Sequence, residues 1–290
     1  MKILSAKQLY QAHDATIKKQ QISELDLLER AGQQVFNWMH LRMQGSQVKI
    51  HVLNGIGNNG GVGLVLARLL IEHGYNVANY VVNYSKKRTD GFLKNYEKVK
   101  ALKQWPDLIT SKDDFPNDIS AEDIIIDAIF GIGLNRDPEN LVNELFALLD
   151  KSKAFKLAVD IPSGLYSNKA PENSKHVLSV NYTLSFQSPK MAFFLPETAV
   201  FTEQWEVLDI GLDKEFLDAL DGVKLIGKNE VLPMYQMREK FASKLTYGHS
   251  LIIGGSYGKI GSIQLASKAA LRSGCGLVTA YVPECGYNIL

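Results

Sequence analysis

From Val48 to Ile210 the chain repeats one alternation: a short apolar run that stops at a turn residue, then a longer stretch whose apolar positions recur at helical spacing. Val48-Lys49-Ile50-His51-Val52-Leu53 halts at Asn54-Gly55, Gly63 to Glu72 has the helical period, and Val77 to Val82 is strand-like again. The pattern continues through a helical Phe92 to Gln104, an apolar Ile124-Ile125-Ile126, a helix opened by Pro138 and running to Leu149, and Lys156-Leu157-Ala158-Val159. Apolar strands separated by helices are buried on both faces, which requires a sheet with crossover helices above and below it. The spacing therefore predicts an α/β fold, a Rossmann-like doubly wound, mostly parallel sheet with flanking helices, to which Tyr182 to Phe186 and Trp205 to Ile210 add two strands.

Two helices are expected ahead of the sheet. Ser5 with Gln8, and Ser23 with Asp26, place two polar side chains three residues apart, the pattern that satisfies the free N–H groups of a first helical turn. A first domain is expected over 1–222 and a linker over 223–239, with a helical stretch from Leu232 to Glu239. Residues 240–290 then read as strand (Ser250 to Ile253), glycine turn (Gly254 to Gly258), helix to Ser273 and strand (Gly276 to Val282). One strand–helix–strand unit of roughly fifty residues buries too little apolar surface to offset its chain entropy, so this segment is expected to be the incomplete N-terminal part of a larger domain.

Composition narrows the partners. Lys+Arg 32 against Asp+Glu 31 leaves a net charge of +1, which provides no electrostatic footprint for nucleic acid. The one dense basic run, Lys86-Lys87-Arg88, is expected to be a solvated loop. Cys275 and Cys285 make neither a disulfide framework nor a zinc-ligand spacing, so a reduced, cytoplasmic setting is expected. The N-terminus turns polar early and no run of ~18 apolar residues occurs, so neither an export signal nor a membrane span is expected. The six histidines, at 13, 40, 51, 73, 176 and 249, lack metal-ligand spacing and are expected mostly at the surface or an interface. Met191 to Pro196 is expected to pack the core or a subunit contact, and a homo-oligomer is the expected state.

The strongest local signal is Asn54-Gly55-Ile56-Gly57-Asn58-Asn59-Gly60-Gly61-Val62-Gly63, with Gly-x-Gly-x-x-Gly at 55, 57 and 60 between a strand and a helix. Such a segment lets backbone N–H groups approach a phosphate, or it merely packs strand against helix. A dinucleotide dehydrogenase would place an acid ~20 positions on, where this chain has Asn83-Tyr84-Ser85. The amide oxygens of Asn58 and Asn59 suit a hard cation. Asp127 and Asp160 each follow an apolar strand where the crevice of an open α/β sheet lies, and each either faces that pocket or caps its own turn.

Gly57-Asn58-Asn59-Gly60-Gly61, Asp127 to Leu134, Ala158 to Gly164 and Phe186-Gln187-Ser188-Pro189-Lys190, in this order, resemble the NAD(P)HX epimerase family, the N-terminal YjeF domain, over residues 1 to about 222. Lys244, Tyr247-Gly248-His249, Gly254-Gly255-Ser256, Gly258, Gly261 and Ala270 to Thr279 resemble the start of the ADP- or ATP-dependent NAD(P)HX dehydratase domain, of ribokinase-like fold, to which the first is fused in bacterial repair enzymes. The resemblance implies interconversion of the R and S epimers of hydrated NADH or NADPH, so that an S-specific dehydratase can restore the cofactor. It also implies that Asn58, Asn59, Gly60, Gly61 and Val62, together with Gly131, Ile132, Gly133, Leu134, Asn135, Arg136 and Asp137, line the substrate, NADHX or NADPHX. Asp160 would contact it and act as the catalytic acid–base, and Asn59, Asp127 and Ser163 would hold a potassium ion. Hard oxygen donors without thiolate or imidazole suit that ion and argue against zinc. ADP or ATP would serve only a complete dehydratase domain, and the basic run at 86–88 could meet the extra phosphate of an NADPH-type ligand.

Two departures stand out. The family's Gly-Gly-Asp-Gly is here Gly60-Gly61-Val62-Gly63, and the Asp that often follows Pro-Ser-Gly-Leu is Tyr166. An intact epimerase therefore competes with a catalytically weakened nucleotide-binding module. A carbohydrate kinase or a dehydrogenase fits less well, since the loop has no Walker-type Lys-Ser/Thr and the second strand lacks its acid.

Overall fold

A computed structural model describes residues 1–138 and 140–290. It divides into two units, Met1–Leu225 and Ile226–Leu290.

In the first unit the strands are β1 (Lys2–Ile3), β2 (Ile50–Asn54), β3 (Val77–Val82), β4 (Asp107–Ile109), β5 (Ile124–Ala128), β6 (Phe155–Val159), β7 (Val180–Phe186), β8 (Thr202–Leu208) and β9 (Val223–Lys224). The helices are α1 (Ala6–Gln20), α2 (Glu24–Met43), α3 (Asn58–Glu72), α4 (Asp90–Ala101), α5 (Asn140–Lys151) and α6 (Lys214–Ala219). Seven strands form one sheet in the order β4-β3-β2-β5-β6-β7-β8, and every pairing in it is parallel. The chain winds outward from β2 to β4, returns to the other side of β2 and winds outward again. The β2/β5 junction is therefore the topological switch point, where ligands enter such sheets.

Alternation along the strands assigns the two faces. Val52, Ile126, Leu157 and Leu184 pack with Leu28, Val35, Val65 and Leu66 of α2 and α3. Leu53, Ile125 and Ala158 point the other way, against the Val142, Leu145, Phe146 and Leu149 stripe of α5. Ser5 and Ser23 cap α1 and α2 through reciprocal bonds with Gln8 and Asp26, as the spacing predicts. The opening of α5 at Pro138 runs through Glu139, outside the described residues.

The structure departs from the sequence reading in several places. Helix α3 begins at Asn58, so Gly60, Gly61, Val62 and Gly63 are its first turns and not a loop before it. Strand β4 has three residues, too few for an alternation to register, and was not anticipated. Val223 and Lys224, expected in a linker, pair with Ile3 and Lys2. The helix expected from Leu232 to Glu239 is a turn of α7 (Lys228–Val231) and a 3-10 turn at Leu232–Met234, and the chain becomes extended at Tyr235, with ψ 122°.

The second unit pairs β10 (His249–Ile253) in parallel with β11 (Leu277–Tyr281) through α8 (Gly261–Arg272). Leu251, Ile253 and Tyr281 are exposed on its strands. Among the described residues no helix of the chain is long and apolar enough to cross a membrane.

Candidate active site

At the carboxyl ends of β2, β5, β6 and β7, under α1 and α2, lies a cavity of about 560 Å³. Its floor is the start of α3. Gly57 is the N-cap and has no side chain to bond the first-turn N–H groups, which leaves them available to an anion. The glycines divide by what surrounds them. A Cβ on Gly60 would sit 1.8 Å from the Gly55 carbonyl oxygen, and one on Gly63 would sit 2.2 Å from Asn54 Oδ1, whereas a Cβ on Gly57 meets nothing within 4 Å. Gly60 and Gly63 thus serve close packing, and Gly57 serves the opening.

Asn58, Asn59 and Val62 line this floor, and Gly131, Ile132, Gly133, Leu134, Asn135 and Arg136 line the wall after β5. Asn58 Nδ2 donates to Glu24 Oε1 at 2.5 Å, while its Oδ1 is buried with no hydrogen-bond partner. Gly60 and Gly61 are buried in the helix and do not reach the lining. Asp137 does not either; it accepts hydrogen bonds from the Tyr166 hydroxyl at 2.7 Å and from His176 Nδ1 at 3.2 Å. Those bonds hold its carboxyl below the ordinary range, while burial and then Asp137 push the Tyr166 phenol up to about 12. Tyr166 therefore ties the 131–137 segment to the chain after β6.

Asp160 lines the cavity together with two other acids, Asp14 and Glu24. It follows β6 with φ +70°, a left-handed conformation that costs a non-glycine residue on the order of 1 kcal/mol. Its N–H donates to Leu184 O at 2.7 Å, and its Oδ1 accepts from the Phe186 N–H at 3.2 Å and from Lys190 Nζ at 2.9 Å. The fully buried Lys190 ammonium also donates to the carbonyls of Phe186 (3.1 Å) and Ser188 (3.0 Å). Among the described residues no hydrogen bond or ion pair is made to Asp160 Oδ2. The backbone turn and the ion pair thus fix one oxygen and leave the other to the cavity.

Behind this wall Asp127 is completely buried. The Ser163 N–H donates to its Oδ2 at 2.7 Å, the Ser163 hydroxyl and the Ile129 N–H donate to its Oδ1, and the Phe130 N–H donates to Ser163 Oγ at 2.8 Å. Asn59 Nδ2 donates to Phe130 O at 2.8 Å, so Asn59 and the Ser163–Asp127 pair meet at Phe130, one at its C=O and the other at its N–H. Burial outweighs these hydrogen bonds and pushes the Asp127 carboxyl up to about 6. Asp127, Ser163 and, after rotation of its amide, Asn59 could each offer a hard oxygen to a cation; in the structure the Asp127 oxygens are taken by the N–H and O–H groups of Ser163 and Ile129.

Residues 24–192 match the family described as YjeF-related protein N-terminus. The chain belongs to this family. The YjeF-type chain is 32% identical over 260 residues to the bifunctional NAD(P)H-hydrate repair enzyme Nnr of Coxiella burnetii, a match covering 89% of this chain and 52% of that protein. It is 32% identical to the NAD(P)H-hydrate epimerase of Roseobacter litoralis over 66% of this chain and 91% of that one. The crystal structure of yeast ynu0 superposes with a TM-score of 0.60 at 21% identity, covering 79% of this chain and 98% of that one, which shows the fold. The chain spans about half the length of the curated repair enzymes it matches most strongly.

The YjeF-type cavity also contains residues that sequence reasoning missed. Tyr10, His13, Asp14 and Ile17 of α1 all line it. Their i, i+3, i+4, i+7 spacing was the available signal, obscured because three of the four are polar. His13 is thus a cavity residue, and His51, fully buried against Asp123 at 3.1 Å, is a core one; neither is at the surface. Lys86, Lys87 and Arg88 are exposed, with Arg88 donating to Asn83 Oδ1 at 3.0 Å.

Proposed function

We propose that this chain interconverts the R and S epimers of hydrated NADH or NADPH. The observation that carries the reading is Asp160, a carboxylate with one oxygen fixed by Lys190 and the other turned to a cavity whose floor is an uncapped helix N-terminus. The helix start suits the ligand's phosphates, and the Tyr84 and Phe130 rings, 4.9 Å apart and inclined at 50°, supply aromatic surface for a ring system. Hydration of an enamine puts the hydroxyl on the carbon bonded to nitrogen. Inverting that carbon needs a proton moved at its oxygen, which Asp160 can do.

Substrate contacts are assigned to Asn58, Asn59, Gly60, Gly61, Val62, Gly131 to Asp137 and Asp160, with Gly60, Gly61 and Asp137 acting through the backbone or through the position of their segment. Potassium is assigned to Asn59, Asp127 and Ser163. Bound there, the ion would supply positive charge that favours the ionised Asp127 and keeps the 131–137 segment seated. We also assign 240–290 to the front of an ADP- or ATP-dependent NAD(P)HX dehydratase domain, supported by repair enzymes that match along 98–100% of this chain. A cytoplasmic homo-oligomer is the state we infer.

The test follows (R)-NADHX by chromatography in potassium buffer. The wild-type chain is expected to convert it to the S epimer, and Asp160→Asn, which tolerates the same backbone conformation, is expected to lose at least a hundredfold in rate. Binding without conversion would replace the epimerase with a nucleotide-binding module, in which case Val62→Asp is the variant to restore turnover.

A further inference from the structure

Inversion through a planar intermediate raises a geometric requirement that one carboxylate does not meet. When the carbon–oxygen bond breaks, the nitrogen lone pair closes a planar C=N⁺, and water must add from the face opposite the one the hydroxyl left. One group therefore has to donate a proton on one face, and a second has to accept one on the other. Asp160 comes from the sheet side of the cavity, at the end of β6. A second element, α1, contributes Tyr10, His13 and Asp14 to the same lining.

Of these, His13 has the right chemistry and the right freedom. Its ring meets the edge of Tyr10 with centroids 6.1 Å apart, and among the described residues neither ring nitrogen makes a hydrogen bond. The fold's own hydrogen bonds thus leave both ring nitrogens of this cavity residue to other partners. The charges around it are Asp160, Lys190, Asp14 and Glu24. Burial lowers its pKa more than Asp160 raises it.

We propose that His13 is the second acid–base group of this site, working from the face of the ring opposite Asp160. The inference rests on the epimerase reading above. In one direction the imidazolium gives its proton to the departing hydroxyl, which leaves as water. A water on the other face then adds to the C=N⁺ carbon and gives a proton to the Asp160 carboxylate. The reverse reaction returns the proton to His13, so one C–O bond breaks, one forms, and the pair carries one proton throughout. Tyr10, pushed up by burial and by Asp160, stays a neutral phenol.

The experiment compares wild type, His13→Gln and His13→Ala in the (R)-NADHX assay across pH 5.5–8.5, after subtraction of the uncatalysed rate, with thermal midpoints measured alongside. Expected are a 10²- to 10³-fold fall in kcat for both variants with KM little changed. Wild type should lose activity as pH rises through the imidazole range. His13→Gln should lack that limb, and added imidazole should recover part of the His13→Ala rate. A His13→Gln enzyme with the wild-type rate and pH profile overturns the inference while the epimerase reading stands. A fall in rate that tracks a lowered thermal midpoint and resists imidazole also overturns it, assigning His13 a packing role. No conversion by wild type removes both.

Discussion

Asp160 and Lys190 are a pair that neither residue's sequence neighbourhood advertises as such. An ammonium with no exposed surface is tolerable only because a carboxylate at 2.9 Å and two carbonyls take its protons. Replacing Lys190 with Met leaves a buried carboxylate without its cation, and we expect a loss of about 3–5 kcal/mol in urea unfolding at neutral pH. A loss below about 1 kcal/mol would mean that water or Asp160 itself relaxes to fill the gap. Phe186-Gln187-Ser188-Pro189-Lys190 is legible as a motif, but that its lysine turns inward onto the acid of another strand is not. The signal is absent because lysines are mostly exposed, and only the turn at Gln187, φ +60°, redirects the chain.

Helix α3 shows the same limit one level up. Its glycines were legible as a phosphate-type segment between strand and helix, yet their division of labour depends on what packs over each. Gly60→Ala drives a methyl into the Gly55 carbonyl and should destabilise by at least 1–3 kcal/mol in chemical denaturation. Gly57→Ala, with φ −100° and open space around it, should leave stability within about 0.5 kcal/mol while weakening nucleotide binding. Reversal of that order would reverse the roles assigned here. Strands β2, β3, β5 and β6 were legible because burial on both faces makes them mostly apolar; β4 was not, because three residues at a sheet edge leave no period to read.

Across the whole first unit, closure is made by residues far apart in the chain. Lys2 and Ile3 pair with Lys224 and Val223, the Leu225 N–H donates to Met1 O at 2.8 Å, and Lys2 Nζ reaches the carbonyls of Leu217 and Leu220 at the end of α6. Of two chains cut after Leu225 and after Gly222, the shorter should be less stable by about 1–3 kcal/mol in thermal unfolding, and equal midpoints would show the ribbon to be idle. Sequence alone determined the sheet, its helices and the acids at its strand ends, because periodicity and turn residues act over a few positions at a time. Tertiary structure alone decided that α1 closes the cavity with His13, that Lys190 lies beneath Asp160, and that Asp137 turns away to Tyr166. Those outcomes depend on which burial and which hydrogen bonds are satisfied between segments distant in sequence, and no local pattern encodes that choice.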